Sequence, residues 1–383
     1  MHRKEFQEIA HCGGKVTISI STAADGRRQS QLGIQHCAPV AAAFFAVYAL
    51  PQGVAVGNIQ LGGIGDKWNP PPIPGCYPVF IASDSEGMFG CSCPSCGGYW
   101  RTSGQRLHCP YCGIHAERYQ FLTEAQRHYV AQYCELMNTA LDKEDGDHII
   151  DMDAVSDAAG KDVKKPPFYY AEESQQTKFT CDACGDVSDI LGTYGYCSTC
   201  NTRNDLQQLN AAIRLLRERI KLGAPYEACV KDAVTLFDSF TNQLAKELLN
   251  CVPMTPARRH RVEKRSLHRL DSIAMDFKTV FDIDILSGMS DDDVKFAALM
   301  FHRRNVYEHN GGEVDEQYIA DSGDCSVKPK QALRETAETA HRLANIVLKM
   351  ASNLHQDFHE IFPPEEEPVL RYAKWKGQKG ASA

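Results

Sequence analysis

Eight of the 16 cysteines stand in four C-x-x-C pairs: Cys93 with Cys96, Cys109 with Cys112, Cys181 with Cys184, and Cys197 with Cys200. The pairs fall into two sets, each with twelve residues between its first and second pair. A C-x-x-C turn aims both thiolates at one tetrahedral ion, and a glycine behind the pair, as in CPYCG and CDACG, permits the tight backbone. Two such turns at the tips of a short hairpin make the four-sulfur site of a zinc ribbon. The spacing therefore predicts two structural Zn2+ ions per chain. Four thiolates close the coordination sphere, so neither site offers a catalytic metal position. The alternatives are disulfides or an iron–sulfur centre. A cytosolic chain disfavours the first, and no aromatic-lined redox motif accompanies the cysteines. Cys91 is close enough in sequence to compete with Cys93. His108 and His115 flank the second pair of the first site and are read as non-ligands. Cys12, Cys37, Cys76, Cys134, Cys229, Cys251 and Cys325 read as small apolar residues or surface thiols.

A second concentration of chemistry is FHRRNVYEHNGG, residues Phe301 to Gly312. At ~100° per residue, His302, Asn305 and His309 share one helix face. Arg304 lies on the neighbouring stripe with Phe301 and Glu308. Asn310, Gly311 and Gly312 form a strong stop signal, which places His309 in the last turn, where carbonyls and the helix dipole favour a cationic ring. Arginine, amide and imidazole then converge at a helix end, facing the space a phosphate or a backbone carbonyl would occupy. A capping histidine with surface arginines is the plain structural alternative. Arg303 and Arg304 are adjacent, and helix geometry does not settle which guanidinium serves with His309.

Composition bounds the setting. The chain has 383 residues, 43% hydrophobic and 23% charged, which suits two or three globular domains and excludes wholesale disorder. No apolar run reaches the ~18 residues of a membrane span, and the N-terminus does not resemble a signal peptide. A cytoplasmic protein is expected. The net charge of −8 argues against a surface generally adhesive to nucleic acid. One local basic cluster stands out: Arg258, Arg259, Arg261, Lys264, Arg265 and Arg269. It reads as a solvated helix face or a phosphate contact.

These residues must be positioned by an α+β, multidomain chain. Residues 1–90 carry five short strand-like runs (KVTISIS, QLGIQH, FFAVYAL, GVAVGNIQL, YPVFIAS) and a proline-rich loop around Trp68. The first ribbon is assigned to residues 91–122 and the second to 179–204. Between them, Thr123 with Gln126 is a capping-box signal for a helix to about Leu141. The rest of 123–178 reads as a charged linker, with Asp145, Asp147, Asp151 and Asp153 in solvent. Residues 205–363 are helical throughout. Asp205 with Gln208 opens one helix. Tyr226, Val230, Ala233, Phe237, Phe240, Leu244 and Leu248 stripe the next. Ser290 with Asp291, Asp292 and Asp293 caps the helix ending at His309. Leu343, Ile346, Val347, Met350, Leu354 and Phe358 stripe the last. A bundle of about five helices is expected, with 364–383 a disordered tail.

Late in an apolar helix of such a bundle, RNVYEH resembles the R-N-x3-H motif of the HEPN superfamily of nucleotide-binding helical bundles. The resemblance covers Asp205 to Pro363. It implies a metal-independent endoribonuclease in toxin or anti-phage defence, formed by a homodimer that brings two motifs to one cleft. Arg304 and His309 would be the catalytic pair, Asn305 their support, and Arg303 and His302 auxiliary contacts to RNA. Two alternatives remain open: a non-catalytic RNA- or nucleotide-binding module, and an adaptor whose zinc ribbons and β-rich region dock a protein partner or inhibitor.

Overall fold

The computed structural model describes residues 7–35, 43–60, 68–104, 106–161, 163–263 and 269–380. The chain divides into two compact units, one of Met1–Asn201 with Glu365–Ala383, the other of Thr202–Pro364.

The first unit is mixed. Strand β1 (Lys15–Thr22) alternates buried and half-exposed side chains and pairs antiparallel with β2 (Arg28–Gln35), an edge strand facing solvent. β3 (Phe44–Ala49) lies between β4 (Ala55–Ile59) and β5 (Tyr77–Ala82) in a second antiparallel sheet. β6 (Phe89–Ser92) and β7 (Tyr99–Thr102) form the hairpin that begins the first cysteine site. Helix α1 (Glu124–Leu141) has the expected reciprocal capping box of Thr123 and Gln126. It buries Tyr129, Val130 and Tyr133 among Val16, Ile18, Val47, Val79 and Ile81, the core of this unit.

The segment expected as a solvated linker is folded. β8 (Gly146–Asp151) pairs with β1, completing the order β2-β1-β8, and α2 (Met152–Gly160) follows. Three of the four aspartates expected in solvent accept from backbone amides, and the fourth, Asp147, is exposed. Asp151 caps α2, Asp153 accepts from the Cys12 and Gly13 N–H groups at 2.8 and 3.0 Å, and Asp145 accepts from Thr22 N at 2.8 Å.

The two ribbons are not separate modules. β9 (Gln176–Thr180) and β10 (Val187–Leu191) join β6 and β7 in one sheet of order β6-β7-β10-β9. The buried Arg101 of β7 holds Asp84, Glu86 and Asp189 of β10 at 2.6, 2.9 and 3.2 Å, a charge cluster across that shared seam.

The second unit is helical. α3 (Asp205–Lys221), α4 (Tyr226–Cys251) and α9 (Ala337–Ile361) pack mutually, with α7 (Asp291–His309) against α4 and α9. The α9 stripe is buried throughout, and that of α4 is buried except for its first residue, the half-exposed Tyr226. Asp205 does not cap α3. It is fully buried against Arg203 at 2.6 Å. The basic stretch is two helices, α5 (Pro256–Glu263) and α6 (Leu270–Phe281), with Lys264 and Arg265 outside the described residues, as is Cys37. The short α8 (Glu316–Ser322) follows α7. The tail expected to be disordered forms α10 (Glu366–Gly380) in the first unit. Its Val369 packs on the second cysteine cluster, and the Tyr372 ring lies against Gly185. No helix among the described residues is long and apolar enough to cross a membrane.

Candidate functional site

Each C-x-x-C pair sits in a turn built for it. Gly97, Gly113 and Gly185 adopt φ of +71°, +67° and +80° directly after their pairs, and Asn201 takes the same left-handed position at +61° after the fourth. Amide N–H groups of Ser95 and Cys96 point at Cys93 Sγ, 3.4 and 3.5 Å away. Burial alone would raise the Cys93 thiol, yet these donations and its cysteine neighbours lower it.

The four sulfurs of each set lie within 4.8 Å of one another. Cys93–Cys112 and Cys96–Cys109 are 3.7 Å apart, Cys181–Cys200 3.7 Å and Cys184–Cys197 3.5 Å. A tetrahedron with Zn–S bonds of ~2.3 Å has an edge of ~3.8 Å. Both sets therefore fit a tetrahedral ion of that size. The second cluster is fully buried, whereas Cys96 and Cys112 of the first are exposed. Cys91 is no competitor: it is buried in β6 beside Phe89 and Arg106.

A third group stands between these turns. His108 and His115 face each other across the Cys109–Cys112 knuckle as a β-bridge pair, ring centroids 4.9 Å apart, with Glu365 close by. Burial, then the second imidazole, pushes His108 down. The sequence reads both histidines as non-ligands; the fold brings their rings together with Glu365, which is far away along the chain.

The α7 stretch is built differently from expectation. Ser290 caps the helix through the Asp293 N–H, and Gly311 and Gly312 end it at φ +58° and +86°. Arg303, expected to contact RNA, is locked inside the unit. It binds Asp324 at 2.9 Å, Glu335 at 3.0 Å and the Tyr318 hydroxyl at 3.3 Å, while the Tyr307 hydroxyl donates to Glu335 at 2.7 Å. Two carboxylates saturate that guanidinium. Arg304 is mostly buried, donating to Asn305 Oδ1 at 3.1 Å and standing 3.7 Å from Asp238 of α4. His309 is exposed at the helix end. Five positions apart, Arg304 and His309 are ~140° apart around the axis, so one chain does not bring them to one face. His302 is half-buried. Burial and the Arg269 guanidinium push its imidazole down, partly offset by Asp321 and Asp271. Among the described residues of the basic cluster, Arg259 stands 3.9 Å from Glu263, Arg261 3.5 Å from Asp276 and Arg269 2.9 Å from Asp271.

Comparison of the chain with protein-family models, curated proteins and solved structures finds no match.

Proposed function

We propose that both cysteine clusters hold Zn2+ as structural ions, and that the protein is a metal-independent endoribonuclease of the HEPN type acting in cytoplasmic toxin or anti-phage defence. The observation that carries the reading is the end of α7: one arginine oriented by an amide and a carboxylate, and one histidine standing free in solvent a turn later. RNA supplies its own nucleophile, the 2′-hydroxyl. Cleavage then needs a proton acceptor, a donor for the leaving 5′-oxygen and positive charge on the phosphorane. Because Arg304 and His309 of one chain face apart, the complete set is assembled from two copies, with one histidine from each sharing the proton transfers. The Arg304 fork suits the phosphoryl oxygens. The carboxylate partner of Arg304 favours a second reading, a non-catalytic RNA- or nucleotide-binding module, since Asp238 competes with phosphate for the same guanidinium.

Incubation of the purified chain with total RNA in EDTA-containing, magnesium-free buffer separates the two. Cleavage to 2′,3′-cyclic phosphate ends, blocked by 2′-deoxyribose at the scissile position and lost in His309→Ala, is the expected result. Retarded RNA without cleavage establishes the second reading instead. A strictly monomeric mass with undiminished cleavage overturns the two-copy site.

A further inference from the structure

We propose that His108, His115 and Glu365 form a third metal site, an exchangeable Zn2+ position with one coordination place open to water. Each residue offers a ligand atom, and the three atoms lie within 4.8 Å of one another. His108 Nε2 and Glu365 Oε1 are 3.4 Å apart. For Zn–N and Zn–O bonds of ~2.0–2.1 Å the tetrahedral edge is ~3.4 Å, so this pair already spans one edge.

The burial of His108 gives the second argument. Only 4% of the residue is exposed, and neither ring nitrogen makes a well-formed hydrogen bond, with Glu365 Oε1 standing 3.4 Å from Nε2. A buried polar ring whose hydrogen bonds are unmade costs free energy, and native interiors rarely tolerate one. Coordination through a ring nitrogen removes part of that cost. The backbone holds the set in place: the Cys109 N–H donates to Ile114 O at 3.0 Å, closing the knuckle between the two histidines, and the Glu365 N–H donates to Cys200 O at 2.9 Å. Imidazole and carboxylate ligands suit Zn2+, and three of them leave the open place that four thiolates deny. His115 and Glu365 are exposed, so this ion exchanges with solvent while the thiolate-held ions stay. Bound there, it ties the first ribbon to the residue that opens the C-terminal segment carrying α10.

Native mass spectrometry of the full chain tests this. After mild chelation the protein should carry two Zn2+ and return to three on adding Zn2+. Co2+ supplied to the two-zinc protein should give d–d absorption without a thiolate charge-transfer band. Replacing a ligand, by His115→Ala or Glu365→Gln, should weaken the third ion more than the about 10–100-fold typical of removing an outer-shell partner. Retention of the two thiolate-held ions shows that each variant folds, and His108→Ala is read alongside them. A wild-type chain that stops at two ions overturns the site. A third ion held undiminished by either exposed-residue variant, or a charge-transfer band, overturns the ligand set.

Discussion

Two neighbouring arginines on α7 have opposite environments, and their substitutions should behave accordingly. Arg303 is paired with the buried carboxylates of Asp324 and Glu335. Arg303→Ala strands both, and should cost about 3–5 kcal/mol in urea unfolding. His309→Ala exposes nothing and should stay within about 0.5 kcal/mol of wild type. Arg304 lies between these cases, because truncation would uncover Asp238; Arg304→Lys keeps the charge and removes only the fork, so it is the better probe of cleavage. Acid should weaken the helical unit through two groups. Burial alone would raise the Asp324 carboxyl, but Ser326, Tyr318 and Arg303 hold it at about 2. Burial, then His359 and Arg203, pushes His355 to about 3 from 6.5. Both folded values lie below the unfolded ones, so both contributions are complete at neutral pH and fade as pH falls. That of His355 fades between about 6.5 and about 3, and that of Asp324 only below about 4. His355→Leu should flatten the upper part of that decline in urea midpoints measured against pH. An unchanged slope would contradict the assignment.

At the scale of elements, the left-handed glycines separate two costs. Gly97 at φ +71° has open space where a Cβ would go, whereas at Gly185, φ +80°, a Cβ would meet the Tyr372 ring at 2.4 Å. Gly97→Ala should lose about 1–2 kcal/mol from backbone strain alone. Gly185→Ala should lose more in thermal unfolding and should loosen α10 towards proteases. Equal losses would mean that the Tyr372 contact contributes nothing. What was legible from sequence follows the strength of local signals. The Thr123 box, the Ser290 cap, the cysteine turns and the stripes of α4 and α9 are short-range patterns with one physical solution each. β8 was missed because Ile149 and Ile150 are its only large apolar residues, and its place is set by pairing with β1, over a hundred residues away. α10 was missed because its apolar contacts, Val369 and Tyr372, are scattered among charges. The role of Arg303 was hidden because Asp324 and Glu335 approach it only after α8 turns the chain back.

At the scale of the whole molecule, both cysteine clusters lie in one unit and helices α3 to α9 in the other, and loss of the ions proposed for the clusters should reveal it. A thiol-reactive mercurial that strips both cysteine sites should abolish the cooperative unfolding of the first unit, because the binding energy of a structural ion is folding energy. The helical circular dichroism of α3, α4, α7 and α9 should persist. Collapse of both signals together would show that the units do not stand alone. The chain also leaves the first unit at Asn201 and re-enters it at Glu365, where the Glu365 amide reaches the Cys200 carbonyl at 2.9 Å. The helical unit is thus a parenthesis in the cysteine-bearing one, with its opening and closing marks side by side. During translation both ribbons emerge early, yet α10 arrives only after the whole parenthesis has been spoken. A ribosome that stops after Pro364 releases helices α3 to α9 together with a first unit whose second cysteine cluster lacks its Val369 and Tyr372 contacts. Joining Asn201 to Glu365 through a short flexible linker should, by the same geometry, give a smaller chain that still folds around both cysteine clusters.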